Sequence, residues 1–324
     1  MAVTLNDYAK QATQPLRKGI ILNLLRQSNV LAEVPFETVD ALSNIAIRWS
    51  TLPDAAFRKI NAGYTEGGGT TEQITESVKG LGGDVDFDRV FDKVSNYIEA
   101  PRVTQTKMKT KAVASVFNYY FIKGSPTLDA DGFYGLEYRV DNLPSRQKIA
   151  VGVAGTPHDA TVSTAAEHAF LDAFHELNDL VGGASAYFCN RTMRLGVGRV
   201  MRRVGLLDVT KDQFEREVWS FGGAPIVDVG LQRDQATEII TDTEDPGDGG
   251  ADTTSIYAVR WGTDDGLLGI QLEPLEAYLV GGEDHELESK PVKRLRIDWW
   301  VGLAGFGSYY AARAYNLKPV TGWT

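Results

Sequence analysis

The stretch from Pro101 to Lys123, PRVTQTKMKTKAVASVFNYYFIK, constrains this chain more than any other. Proline suits the first turn of a helix, where an N–H would have no intrahelical partner, and Gly124 followed by Pro126 supplies the stop. In between, Val103, Lys107, Thr110, Ala114, Phe117 and Phe121 recur at three- and four-residue spacing, and Thr104, Met108, Ala112 and Val116 form an adjacent row. The stripe is broadly apolar only toward the C-terminal end, because Lys107, Lys109 and Lys111 fall in the first half. The spacing predicts one helix roughly 35 Å long at 1.5 Å per residue, a strut with its C-terminal half buried and its first half turned outward.

A chain of 324 residues is long enough for a large core in two lobes. Hydrophobic residues at 43% and charged residues at 23% exclude a disordered chain, while 33 glycines imply many turns. No apolar run approaches the roughly 20 residues of a membrane helix, and MAVTLNDYAK lacks a signal-peptide pattern, so a soluble, intracellularly made protein is expected. The lone cysteine, Cys189, excludes an internal disulfide framework and reads as a small buried hydrophobe. A net charge of −10 argues against broad affinity for DNA phosphates.

Taken in order, the chain begins with a helical arm rather than a compact core. Asp7 to Ser28 reads as helix interrupted at Pro15, with Leu16, Ile20, Ile21, Leu24 and Leu25 on one face and Lys10, Arg17, Lys18 and Arg26 on others. Leu31, Val34 and Phe36 follow as an anchor. From Asn44 to Val90 the chain reads as a long two-stranded excursion, with alternation in IAIRW (45–49) and DVDFDRV (84–90) and a polar, glycine-rich stretch between them. An isolated hairpin is marginal in water, so Asn61 to Gly83 is expected to be ordered only against another chain, and deletion of Gly63 to Lys79 to spare the protomer. Gly67-Gly68-Gly69 reads as a flexible tip, since no Gly-Lys-Ser/Thr follows it.

The second half reads as mixed helix and strand. Thr164 with Glu167 forms a capping box for a helix from Ala165 to Val181, stopped by Gly182-Gly183. SAYFCN is a buried strand, and Asn190 caps a helix running to Val204 and closed by Gly205, with Gly196 and Gly198 interrupting it. Strands follow at FGGAPIVDVG (221–230), SIYAVRWG (255–262) and GLLGIQLEP (266–274), while the acidic loop Asp242 to Asp252 should project into solvent and tolerate an insertion after Gly249. From Val292 to Val301 the chain alternates, with Leu295, Ile297, Trp299 and Val301 on one side, and a short helix is expected near Ala311.

Motifs for chemistry are weak throughout. Asp129, Asp131 and Gly132 begin a calcium-loop pattern but lack its later oxygen ligands and distal glutamate. His168, Asp172 and His175 sit on nearby turns of one helix, at the border of the face defined by Phe170, Ala173, Phe174 and Leu177, and read as flank residues rather than metal ligands. Arg191, Arg194, Arg199, Arg202 and Arg203 make one helix basic; without interleaved aromatics, surface or intersubunit ion pairing is a better reading than base stacking. No nucleophile elbow, zinc-protease motif, P-loop or dinucleotide turn is present. The expectation is a protein that is not an enzyme, with no catalytic, cofactor-binding or metal-binding residues and no cofactor.

The order of elements resembles a known family. An arm ending in LAEVPFETV, a long hairpin, a spine helix, FYGLEYRV, a capped helix followed by SAYFCNRTM, then FGGAPIV and the closing VKRLRIDWWVGLAGFGSYYAARAY are similar to tailed-bacteriophage major capsid proteins, whose Hong Kong phage-type fold is shared with encapsulin shells. The resemblance implies an α+β capsid fold: residues 1–43 as N-terminal arm, 44–90 as extended loop, 91–164 as a peripheral domain with the spine helix, 165–289 as an axial domain and 290–324 returning to the peripheral domain. It implies self-assembly into pentamers and hexamers of an icosahedral shell around double-stranded DNA, touched only weakly and non-specifically, with no membrane. It also implies a virion assembled in host cytoplasm with a separate scaffolding protein, a portal protein and a decoration protein as partners. Lys59, Lys79 and Asn61 give no basis for assigning a covalent crosslink. The rival readings are an encapsulin-like nanocompartment and, from another class, an oligomeric enzyme with an unrecognised site.

Overall fold

The structure, a computed structural model, describes residues 3–11, 15–88, 90, 101–153, 156–206, 208–211, 215–245, 252–263, 265–280 and 291–319. In chain order its elements are β1 (Val3–Thr4), α1 (Leu5–Gln11), α2 (Pro15–Gln27), α3 (Asn29–Glu33), β2 (Pro35–Thr38), β3 (Ser43–Thr51), β4 (Thr70–Ser77), β5 (Lys79–Asp88), α4 (Pro101–Lys123) and α5 (Leu136–Asp141). There follow β6 (Lys148–Ala150), α6 (Thr164–Leu180), β7 (Ala186–Cys189), α7 (Arg191–Val204), β8 (Asp208–Lys211), β9 (Glu217–Phe221), β10 (Ala224–Asp228), β11 (Thr254–Val259), β12 (Leu267–Gln271), β13 (Glu276–Leu279), β14 (Val292–Gly305) and β15 (Ala311–Leu317). The class is α+β, as the resemblance implies.

Two sheets divide the strands. The first runs β1-β2-β12-β14-β13, with β5 also on β14; the second is seven-stranded, β6-β15-β11-β7-β10-β9-β8; β3 and β4 stand apart as a pair. Alternation along β14 turns Leu295, Ile297, Trp299 and Val301 into the core, each buried to within about 1% of full coverage. That row meets α4, where Phe117 stacks on Trp299 at 5.5 Å between ring centroids, and Phe36 closes on Trp299 at 5.3 Å. Aromatic pairs at such separations add to the gain from burial itself.

The spine helix α4 joins the two sheets. Phe117 and Phe121 share one core with Trp299 of the first sheet and with Phe188, Tyr257 and Val259 on one face of the second. The opposite face of the second sheet, with Tyr187, Ile226 and Ile256, is covered by Phe170, Phe174 and Leu177 of α6 and Met193 and Val197 of α7. A polar relay fixes the junction: the Ser28 hydroxyl caps α3 at Leu31 N and donates to Asn118 Oδ1 at 2.6 Å, while Asn118 Nδ2 donates to Val229 O at 3.0 Å. Each of these buried groups is thereby satisfied.

Several expectations need correction. The N-terminal segment is part of the core: Ile20, Ile21, Leu24, Leu25, Val30 and Leu31 are buried in it, although Leu16 is 41% exposed, and Arg17 donates to the carbonyls of Leu275 and Pro274 in the same chain. The hairpin's return strand is β4, not DVDFDRV; Thr70–Ser77 carries the β-branched residues Thr70, Thr71, Ile74 and Thr75, while 84–88 belongs to β5 on β14. Ser163 caps α6, accepting from Ala166 N, and Glu167 instead binds Arg203. Helix α7 is continuous through Gly196 and Gly198; at Gly198 a Cβ would lie 2.3 Å from the Trp219 ring, so the missing side chain makes room for an aromatic. Ala311 begins a strand, β15, which pairs with β11 and β6 in the second sheet.

The acidic loop departs furthest from expectation. Glu244 is buried at 7% exposure, because Lys123 Nζ donates to its Oε1 at 2.8 Å and Arg313 Nη2 and Ser255 Oγ donate to its Oε2 at 3.1 and 2.5 Å. Asn190 Nδ2 holds Asp242 at 2.6 Å. The start of the loop is thus tied down by compensating charge, while Gly249 lies outside the described residues.

Candidate assembly interface

The part of the protomer with the least support from the rest is the hairpin β3–β4. Its antiparallel register runs from Ser43 opposite Ser77 to Trp49 opposite Thr71, then shifts before Thr51 opposite Thr70. Nine residues of strand at about 3.3 Å each carry the distal end on the order of 30 Å from the base. From Ser50 to Gln73 every residue is exposed, including Leu52 at 75%, Phe57 at 109%, Ile60 at 93% and Tyr64 at 73%. A folded monomer seldom leaves apolar groups of this size together in water.

The distal turn nevertheless has a defined shape. Ala62 N donates to Lys59 O at 3.1 Å, Asn61 adopts φ of +68°, and Arg58 both donates to Ala62 O at 3.1 Å and lies 5.0 Å over the Tyr64 ring. Asparagine tolerates the left-handed region better than most residues, which is what this turn requires. Phe57 and Ile60 are thereby presented outward from a braced turn.

At its base the hairpin is clamped. Arg139 Nη1 and Nη2 donate to Glu76 Oε1 and Oε2 at 2.5 and 2.9 Å, Nη2 also donates to Leu303 O at 2.7 Å, and Nε donates to Tyr134 O at 3.0 Å. Both side chains are about 5% exposed. Val78 packs with Ile270 and Ala304, and its N–H donates to Leu42 O at 2.8 Å. Beyond it, β5 lies along β14, where Asp84 faces Arg296 and Asp86 faces Arg294 directly across the ladder; each arginine donates twice to its partner at 2.6–2.8 Å. Those bonds hold the Asp84 carboxyl below its ordinary range.

The spine helix repeats the contrast between supported and unsupported surface. Val113, Ala114, Phe117, Phe121 and Ile122 are buried, whereas Val103 is 44% and Met108 61% exposed. Lys111 reaches Gln235 Oε1 at 2.6 Å. In the first half of α4, Val103 and Met108 thus lie open to solvent while Thr110 is buried and Lys109 lies against Gly83 of β5.

The histidines, carboxylates, cysteine and arginines with a chemical reading in the sequence do not come together in a site. His168, Asp172 and His175 are exposed on α6, with the His175 ring 4.9 Å from that of Phe221. Asp129 accepts from the Tyr120 hydroxyl at 2.7 Å and from Asp131 N at 2.9 Å, which makes it a turn brace. Cys189 is fully buried, and burial pushes its thiol pKa up. On α7, Arg194 lies 4.9 Å over the Trp219 ring. Among the described residues no cluster of three or more histidine, cysteine or carboxylate side chains could hold a metal ion, and no helix is long and apolar enough to cross a membrane. Sequence reasoning missed the Glu76–Arg139 clamp and the Glu244 network, whose members are far apart along the chain.

Comparison with known proteins identifies the fold. Residues 16–163, which hold the hairpin, the clamp and the spine helix, match the family described as Major capsid protein GP7. No curated protein matches the sequence. Among solved structures, the SrpI encapsulin of Synechococcus elongatus PCC 7942 is similar over 91% of this chain and 89% of that one, with a TM-score of 0.61 at 13% identity. The capsid of a native GTA particle is similar over 91% and 90%, TM-score 0.58 at 15% identity, and Mycobacterium phage Bobi over 89% of both chains, TM-score 0.57 at 10% identity. At such identities the likeness establishes the fold, the one expected from the resemblance to tailed-phage capsid proteins.

Proposed function

We infer that this chain is a major capsid protein of the Hong Kong phage type, a structural subunit that assembles with copies of itself into an icosahedral shell. The observation that carries this reading is the hairpin of residues 43–77, clamped at its base, exposed at every residue from Ser50 to Gln73, and contained in the segment that matches a capsid-protein family. A protomer that leaves Leu52, Phe57 and Ile60 in water becomes a complete buried structure only when a neighbour covers them.

On this reading the arm (1–43), the extended loop (44–90) and the spine-helix region (91–164, apart from β6, which lies in the second sheet) form the peripheral part, and the seven-stranded sheet with α6 and α7 forms the axial part that gathers into pentamers and hexamers. Of the return segment 290–324, β14 lies in the first sheet and β15 in the second, so this reading assigns only β14 to the peripheral part. A net charge of −10 suits an inner wall that touches packaged double-stranded DNA only weakly. Assembly in host cytoplasm with a scaffolding protein and a portal protein completes the reading, and its product is the virion. The role is structural rather than enzymatic.

The alternative is an encapsulin-like compartment, favoured by the likeness to the SrpI shell. Electron microscopy of particles purified from cells expressing the chain with its neighbouring genes, together with nucleic-acid and protein analysis of their contents, decides between them. Closed shells containing DNA support the capsid reading. Shells filled with a single protein cargo support the alternative, and soluble protomers that never close would sink both.

A further inference from the structure

A groove of about 860 Å³ opens beside the edge of the seven-stranded sheet, between the β6–α6 connection, the start of the acidic loop and the end of β15. Its apolar lining includes Val153 at 77% and Val162 at 75% exposure, with Pro319. Asp159, Asp242 and Asp252 also line it, against one lysine, Lys318, which is held by Asp159 at 2.8 Å. Burial would raise the Asp159 pKa, but hydrogen bonds from Lys318 and Thr161 outweigh it and bring it down to about 2, so this wall stays charged.

The distal turn of the hairpin has the opposite character. Residues 57–64, FRKINAGY, combine three large apolar side chains with Arg58 and Lys59 and no acid. Phe57 and Ile60 are the most exposed large apolar residues described, and the turn is braced, so little conformational freedom is lost when it binds. An apolar, basic knob on a long stalk and an apolar, acidic groove occur on the same chain, and the hairpin points its knob away from its own base.

We propose that the hairpin turn, with Phe57 and Ile60 foremost, docks into this groove on a second copy of the chain. The inference rests on the capsid reading and names the surface on which the hairpin closes. Such a contact is heterologous: the knob of one copy fills the groove of the next, which builds rings where the rotation closes and open filaments where it does not, rather than isolated pairs. The acidic wall selects the basic turn and sets its orientation.

The test replaces Phe57 with p-benzoylphenylalanine, a photo-crosslinking aromatic, at a position where the side chain is wholly in solvent. Labelled chain is assembled with an excess of wild-type chain, so that shells close around a labelled minority, then irradiated, digested and mapped by mass spectrometry. Intermolecular crosslinks to residues 151–162 or 318–319 are expected in shells and none in unassembled protomers. Val162→Trp in the wild-type partner, which fills the groove from an exposed position, should abolish them. Intact shells whose crosslinks map to any other segment, or that give none, would overturn the docking site and leave the capsid reading standing; failure of the wild-type chain to form any shell would count against the capsid reading itself.

Discussion

Glu76 and Arg139, 63 residues apart in sequence, meet in a buried two-pronged ion pair at the point where the hairpin leaves the body of the protein. Paired in this way, each charge is compensated; with one partner removed, the other is stranded in a low-dielectric site. Arg139→Met should therefore cost about 3–5 kcal/mol of protomer stability. The double variant Glu76→Gln/Arg139→Met should cost less than the sum of the single changes. Denaturant unfolding of unassembled protomer measures both, and strictly additive losses would show that the pair is not coupled.

The same clamp defines where the hairpin can be cut. Removing Gly63 to Lys79 would delete Glu76 and the buried Val78 and so unfold the base. Replacing Leu52 to Gly69 with Asn-Gly removes only exposed residues and closes the strands with a two-residue turn. The protomer's stability should stay within roughly 0.5 kcal/mol of wild type while shell formation, followed by light scattering, is lost. Normal shells from this variant would mean that the hairpin is dispensable for closure.

Two glutamates on neighbouring segments should respond to pH in opposite senses. At Glu238, burial and then the nearby Asp242 and Asp228 push the pKa up to about 7 from an ordinary 4.5. Between those values the unfolded chain gives up a proton that the folded one retains, so this group lowers stability as pH rises through the window. Glu238→Gln should match wild type below pH 4.5 and melt higher above about pH 7. At Glu244, burial acts to raise the pKa, but Lys123 and Arg313 outweigh it and hold the value below 4.5. Its contribution is present above the unfolded value and fades as pH falls through the folded one. Glu244→Gln should thus melt lower at neutral pH, with the gap closing in acid. Melting curves from pH 3.5 to 8.5 would test both, and parallel profiles for all three proteins would refute the assignments.

A third kind of test concerns Gly198. Alanine is favoured over glycine inside a helix by about 1 kcal/mol, but a Cβ here would sit 2.3 Å from Trp219, whose ring carries Arg194 on its face. Overpacking of this kind costs typically 1–3 kcal/mol. Gly198→Ala should therefore be destabilising overall and should shift the tryptophan fluorescence. Stabilisation by alanine would mean that the ring yields freely.

Much of the fold was legible because its signals are local. Proline at position 101, glycine at 124, the Asn190 cap and the alternation along β14 each act within a few residues, and each element formed where they placed it. The outward-facing first half of the spine helix was legible for the same reason. Errors arose where the deciding contact is remote. Ala311, Ala312 and Ala314 read as helix formers, yet they pair with β11 and are buried between two cores. The acidic loop read as self-repelling because Lys123 and Arg313, which neutralise Glu244, lie 121 and 69 residues away in sequence. Strand β4 was missed because none of its first four residues is buried, so no face betrays itself by hydrophobicity.

The ten-position register between β5 and β14 has a mechanical meaning. Ladder hydrogen bonds lie perpendicular to the strands, so tension along the hairpin reaches them as shear, with all rungs loaded together, instead of peeling them one at a time. Force borne by a neighbour that grips the hairpin passes into the fourteen-residue β14 and from there through the short turn into the second sheet. The hairpin is in this sense a tension member spliced lengthwise into the longest of the described strands, an anchorage suited to a wall that is pushed outward from within.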